Sequence, residues 1–338
     1  MKVFQIENDW GMDNLRLSSR PDPTPGPGQV LLRMKAASLN YRDLVVPMRG
    51  YGSFTGNLPL IPISDGVGEV VEVGAGVTRV QVGQRVCPMF NQHWIAGDLN
   101  LERIASGTQG GPIDGTMAEL MCLSQQGVVA VPEHLSDEQA ATLPCAALTA
   151  WSALVTYGAL GPGSRVLVQG TGGVALFALQ FAKLLGAHVT VISSSDAKIA
   201  RARTMGADAA INYRTVPEWY KATREITQGN GYDHILELGG EKTLQQSLRC
   251  VRPGGTLSMI GVLSGGAMTA PLGLVVTRQV RLQGITVGHR DGMEAMVRAI
   301  GQHRLEPVID RVFRFEELKQ AMAHLQSGAH FGKVCIRH

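Results

Sequence analysis

Apolar positions along the chain change period once, near its first third. Val30, Leu32, Met34 and Ala36 alternate with Leu31, Arg33 and Lys35, which predicts a strand over 29–37. The same texture returns at 66–73 and 77–86, punctuated by Gly74, Gly76 and Gly83, and more briefly at 119–123 and 128–131. Short strands separated by glycine turns point to a β-barrel or sandwich-like unit. Residues 91–115 carry no period and five glycines, so they read as a loop beside a site or a surface excursion.

After Pro132 the period becomes helical. Ser136 precedes a helix-like run over 137–158, with Asp137 and Glu138 placed for its dipole. Strands at 164–169, 188–192, 210–213, 234–237 and 256–260 then alternate with helices at 174–185, 196–205, 217–227 and 243–251. Val166, Leu167 and Val168 run together, as in a strand covered on both faces. This alternation predicts an α/β unit with a doubly wound parallel sheet, and 280–287 is its expected last strand. Helices at 293–303 and 315–325 and a strand at 333–337 close the chain, so both ends are free to form one domain around the α/β unit.

Composition narrows the class. At roughly 150 residues per domain, 338 residues suggest two domains. The 31 Lys and Arg against 28 Asp and Glu leave +3, too little to predict a nucleic-acid or anionic-membrane partner. Lys2, Glu7 and Asp9 interrupt the first ten residues, so no signal peptide is expected. The most apolar stretch, 174–185, contains Gln180 and Lys183 and is too short to span a bilayer. Five cysteines do not suggest a disulfide framework. A soluble, cytoplasmic protein is the expectation.

Gly170-Thr171-Gly172-Gly173-Val174-Ala175 follows a predicted strand and opens a predicted helix, fitting G-x-G-x-x-G/A. In a dinucleotide site the first glycine makes the tight turn, the second admits a pyrophosphate and the last small residue permits close helix–strand packing. The helix N-terminus offers free N–H groups to phosphate. At the end of the next strand, where NAD enzymes place a carboxylate on the ribose, stands Ser193. Ser194 and Lys198 add a donor and a cation, and Tyr213 at the following strand end adds a hydroxyl or a stacking ring. This favours NADPH over NADH. Asp196 is the counter-signal, unless it is simply the cap of the next helix.

Together with this motif, Pro25–Gly28, Asn40-Tyr41-Arg42-Asp43, Gly66–Gly76, the VGQRV segment at 82–86 and Gly332-Lys333-Val334 resemble the medium-chain dehydrogenase/reductase superfamily along essentially the whole chain. The resemblance implies a Rossmann cofactor domain over 126–289, a GroES-like β-rich catalytic domain from 1–125 with 290–338, and a homodimer or homotetramer. It implies nicotinamide contacts from main chain at Gly261, Val262, Val287 and Gly288, and a tail with Phe331 and Lys333 closing over the cofactor. In the zinc enzymes of the superfamily a Cys, a His and a second Cys hold the metal; the matching positions here are Asn40, Ser64 and Cys145. One thiolate cannot hold a catalytic zinc. The pattern therefore resembles the zinc-independent quinone oxidoreductase and alcohol-dehydrogenase-like branch, with Asn40 and Ser64 as oxyanion donors and Tyr51 as proton donor or orienter.

Three functions follow. The first is NADPH-dependent reduction of a small-molecule electrophile, a quinone or an enone or enal. The second is a zinc-free NADP-dependent alcohol/carbonyl oxidoreductase, and the third a non-catalytic NADPH-binding sensor. His93 and Trp94 are candidates for lining the substrate site.

Overall fold

The computed structural model describes residues 1–105 and 107–338 and divides the chain into two compact units. One contains Met1–Leu148 with Val287–His338, the other Thr149–Thr286. The helical stretch after Ser136, grouped by sequence texture with the α/β unit, packs its first turns on the strands Gln29–Ser38 and Asp65–Val73, which draws it into the first unit. Among the described residues no helix is long and apolar enough to cross a membrane.

The first unit begins with a hairpin, β1 (Lys2–Ile6) and β2 (Leu15–Ser19), which the alternation did not predict. It continues with β3 (Gln29–Ser38), β4 (Asp65–Val73), β5 (Arg85–Pro88), β6 (Leu120–Ser124) and β7 (Val128–Ala130). The strand expected over 77–86 survives only as β5. Ahead of it Val82 is exposed and Gly76 and Gly83 take positive φ, so the segment wanders while Val80 pins it to the core.

The second unit supplies β8 (Arg165–Gln169), β9 (His188–Ser193), β10 (Ala209–Asn212), β11 (Tyr232–Glu237), β12 (Val251–Met259) and β13 (Arg281–Gly284). They form one parallel sheet in the order β10-β9-β8-β11-β12-β13, the doubly wound arrangement the alternation predicts. Leu167, Ile235 and Leu257 on neighbouring strands are fully buried in its core. β13 stops short of the predicted 287 because Val287 has φ 53°, a left-handed conformation that a β-branched residue seldom adopts and that ends extended pairing.

The chain returns to the first unit with β14 (Ile309–Arg314) and β15 (Lys333–Arg337), the former unpredicted. Its main sheet runs β14-β15-β3-β4-β5-β7, with β6 also on β3. The helix expected over 137–158 is broken into short α turns and wider π turns at Leu143–Ala147 and Ser152–Thr156. Pro144 supplies no N–H to the ladder, which accounts for the first widening.

Candidate active site

Three strands far apart in sequence meet at one end of the first unit's sheet. β15 pairs β3 with Cys335 opposite Ser38, and β4 pairs β3 with Asp65 opposite Ser38. Two residues past Ser38 is Asn40; two before Cys335 is Lys333; one before Asp65 is Ser64. The register alone therefore brings Asn40, Ser64, Asp65 and Lys333 together.

Their hydrogen bonds form a connected set. Lys333 Nζ donates to Asn40 Oδ1 at 2.6 Å and to the Leu39 carbonyl at 2.6 Å, and lies 3.7 Å from Asp65 Oδ2. Asn40 Nδ2 donates to Ser64 Oγ at 3.4 Å, and Ser64 Oγ donates to Asp65 Oδ1 at 3.3 Å. The Asn40 backbone N–H donates to Asp43 Oδ2 at 2.7 Å, which gives Asp43 a structural task. Ser64, Asp65, Asp43 and Lys333 are all buried, whereas Asn40 keeps partial exposure. Burial pushes the Asp65 carboxyl up to about 7 against the pull of Lys333 and Asn40, and it raises Asp43 in the same way.

Three of the expected site residues are buried in this geometry. Ser64, expected as an oxyanion donor, has no exposed surface and turns its hydroxyl hydrogen towards Asp65, so it supports Asn40. Lys333, expected at the cofactor, is only 3% exposed and its ammonium is committed to Leu39 and Asn40. Phe331, expected beside it, has a buried ring, and its backbone N–H donates to Asp310 Oδ1 at 2.9 Å.

Tyr51 stands partly open with its ring 6.0 Å from the Arg42 guanidinium. Burial raises the Tyr51 phenol above its usual range although the Arg42 charge pulls the other way, so the hydroxyl keeps its proton near neutrality. Arg42 itself holds the aperiodic loop. It donates to the carbonyls of Gln109 and Gly111 and to Thr108 Oγ1, and its guanidinium lies 4.9 Å from the Phe90 ring centroid. Trp94 is buried and donates to the Gly97 carbonyl, a packing role, while His93 borders a surface pocket with Asn100, Glu102 and Arg103.

In the second unit, Gly170 leaves β8 with φ 81°, a turn that glycine makes without strain. Gly172 caps the twelve-residue helix Gly173–Leu184 in an extended conformation with no side chain bonded to the first-turn N–H groups. Those donors and the dipole remain for an anion, which is the fit a pyrophosphate requires. Thr171 is buried beside the turn, Gly173 and Val174 form the first helical turn, and Ala175 packs against the core. Gly261 approaches β11 so closely that a Cβ would lie 2.1 Å from the Leu238 carbonyl oxygen.

A second feature of this edge escaped the sequence. Glu237 is fully buried at the end of β11 and accepts from Gly239 and Gly240 N–H, Thr243, Gln169 and Ser247. Gln169 Oε1 in turn accepts from Leu238 and Gly239 N–H at 3.0 Å. This web ties the residue before Gly170 to the end of the neighbouring strand. Only the paired register of β8 and β11 reveals it; no spacing in the chain does.

At the end of β9, Ser193 is nearly enclosed and its carbonyl accepts from Tyr213 N–H at 3.0 Å, while Ser194 is partly open and Tyr213 exposed. Ser195, not Asp196, caps the helix Asp196–Thr204 by accepting from Lys198 N–H. Asp196 instead accepts from Asn212 Nδ2 at 2.9 Å. Val262 is exposed just past Gly261; Val287 and Gly288 are buried and belong to the first unit.

A zinc ion does not suit the first unit's residues. Asn40 presents an amide whose oxygen is held by an ammonium, Ser64 a hydroxyl bonded to a carboxylate, and burial pushes the Cys145 thiol far above its ordinary range. Zinc requires deprotonated sulfur and unprotonated nitrogen or oxygen ligands. Among the described residues no three His, Cys, Asp or Glu side chains gather to hold a metal.

Residues 26–133 match the alcohol dehydrogenase GroES-like domain, and residues 173–302 match the zinc-binding dehydrogenase family. A zinc-type alcohol dehydrogenase-like protein of Schizosaccharomyces pombe is 41% identical over 336 residues, spanning 97% of this chain and 96% of the relative. A solved chain assigned to the alcohol dehydrogenases of Sinorhizobium meliloti superposes with a TM-score of 0.94 at 43% identity, covering all of this chain and 98% of the other. An NAD-dependent alcohol dehydrogenase of known structure superposes at 0.91 with 32% identity and full coverage of both chains.

Proposed function

The chain belongs to the medium-chain dehydrogenase/reductase superfamily, and from that premise we propose that it is a zinc-independent, NADPH-dependent alcohol/carbonyl oxidoreductase. The words alcohol dehydrogenase in the names of its relatives favour an alcohol or carbonyl substrate over the quinone or enone that the sequence put first, and say nothing for NADPH. The observation that carries it is the Asn40 amide, partly exposed above an otherwise buried polar cluster, with its oxygen bonded to Lys333 and its nitrogen left as donor.

The bound cofactor supplies a hydride to the carbonyl carbon. Asn40 Nδ2 carries two hydrogens, of which Ser64 takes one; the other donates to the substrate oxygen as negative charge grows there. Tyr51, protonated at neutral pH, is the proton source for that oxygen. Helix Gly173–Leu184 binds the pyrophosphate through its uncapped N–H groups. Ser193, Ser194, Lys198 and Tyr213 would hold the adenosine ribose. A serine where a carboxylate would repel a 2′-phosphate, and an Asp196 already bonded to Asn212, support NADPH.

One feature supports conjugated substrates as a second reading. Amide donors stabilise an enolate or a hydroquinone oxyanion more readily than an alkoxide, because the former are far less basic. Incubation with NADPH, chelator and 2-cyclohexen-1-one decides between the two. The allylic alcohol as product supports carbonyl reduction, the saturated ketone supports C=C reduction, and neither product here nor turnover of benzaldehyde overturns both.

A further inference from the structure

An asparagine amide serves as an oxyanion donor only while its nitrogen faces the substrate. Its two ends are nearly the same shape, so something must choose between them. Lys333 makes that choice. An ammonium has three donors and no acceptor, so the Asn40 atom 2.6 Å from Nζ must be the oxygen. The nitrogen is thereby turned to the opposite side, towards Ser64.

Lys333 is itself held in place. It opens β15, whose register on β3 fixes its height, and its ammonium also donates to the Leu39 carbonyl. Asp65 supplies the nearby carboxylate at 3.7 Å, too long for a hydrogen bond, and its Oδ2 has no hydrogen-bond partner. Such a pair is a poor device for stability: burying two charges costs as much as or more than their attraction returns, and an apolar pair of similar volume is often as stable. A charge-assisted bond to the amide oxygen does have a chemical consequence. It draws electron density towards Oδ1 and makes the Nδ2 hydrogens better donors.

We propose that Lys333 is a positioning residue for the reaction, selecting the orientation of the Asn40 amide and polarising it towards the substrate oxygen; this rests on the carbonyl-reductase reading above. The Leu39 carbonyl keeps the ammonium in place with Asp65 as its acidic neighbour, and Ser64 is the acceptor that occupies the inner amide hydrogen.

The test compares Lys333→Met, Lys333→Arg and the double variant Lys333→Met/Asp65→Asn, which buries no lone carboxylate and so guards against misfolding. kcat and KM are read with NADPH and 2-cyclohexen-1-one, and NADPH affinity by fluorescence titration. Spectra of protein labelled with ¹⁵N only at asparagine give the side-chain amide signal of Asn40, identified by its loss in Asn40→Ser. We expect kcat to fall at least tenfold in both Met variants with NADPH affinity within twofold, Lys333→Arg to recover part of the loss, and the Asn40 amide signal to move upfield. A double variant that keeps kcat within twofold, or an unmoved amide signal, overturns the proposal. If the wild-type protein turns over neither the enone nor benzaldehyde, the carbonyl-reductase reading fails, and the amide signal alone decides the role of Lys333.

Discussion

Lys333 and Asn40 stand 293 residues apart, yet the ammonium of one lies 2.6 Å from the amide oxygen of the other. The contact exists because the last strand of the chain pairs with β3 rather than with its sequence neighbours alone. It joins the end of the chain to the candidate catalytic group, and the first prediction follows from it.

Asn40→Asp keeps an oxygen for Lys333 but removes the N–H donor and sets a negative charge where the substrate oxyanion forms. Loss of one such donor costs about 10²–10³ in kcat. We expect a fall of that size with NADPH affinity retained. Steady-state kinetics beside a fluorescence titration will show it, and wild-type kcat in the variant would remove the amide from the mechanism.

Ser193→Asp tests the cofactor. A carboxylate at the end of β9 repels a 2′-phosphate and accepts from a free ribose hydroxyl, so NADPH affinity should drop by about tenfold or more while NADH affinity rises, tenfold being 1.4 kcal/mol. Unchanged NADPH binding would show that the phosphate lies elsewhere.

Asp65 makes stability depend on pH. Its carboxyl ionises at the ordinary 3.8 in the unfolded chain and at about 7 in the fold, where burial outweighs Lys333, Asn40 and Arg42, with Asp43 pushing the same way. Between those values the folded state holds a proton that the unfolded chain has released. The contribution is therefore complete below the lower value and is lost as pH rises towards the upper one. Asp208 and Asp233 work oppositely: despite some burial, hydrogen bonds and ion pairs with Lys183, Arg165 and Arg252 hold them low. Urea midpoints of the wild type and Asp65→Asn between pH 4.5 and 7.5 isolate the difference. The variant should gain relative stability as pH rises, and parallel curves would contradict the assignment.

Arg42→Leu removes three hydrogen bonds to the loop at 108–111 and leaves the Gln109 carbonyl without its side-chain donor, while the Gly111 carbonyl keeps the Thr108 hydroxyl. Bonds to a charged group contribute about 1.5–3 kcal/mol each, so a loss of at least ~2 kcal/mol is expected after local rearrangement. Faster proteolysis between 97 and 111, together with a lower thermal midpoint, is the measurable result. An unchanged cleavage rate would mean that the loop is held by its other contacts, such as Asn91 to Arg103.

Local signals carried the α/β half of the molecule. The parallel sheet, the strand–turn–helix at Gly170 and the helix behind it all depend on residues within a few positions of one another. The first unit was less legible. The hairpin of β1 and β2 lacks clear alternation, and β14 offers charged and apolar residues in a half-exposed mixture. Ser64 showed its limits most clearly. Its expected role as an oxyanion donor came from its standing where the zinc enzymes of the superfamily place a histidine, and only the packed fold shows that it has no exposed surface.

The sequence by itself determined the two-unit organisation and the strand–turn–helix at Gly170, because periodicity and turn chemistry are properties of short segments; the matching of Asn40, Ser64 and Cys145 to zinc positions came from the family resemblance instead. The tertiary structure decided which polar groups are buried, which way the Asn40 amide faces and what Lys333 does. Those outcomes depend on strand register between segments hundreds of residues apart and on how burial changes the energy of a charge, and neither is written in any local stretch of the chain.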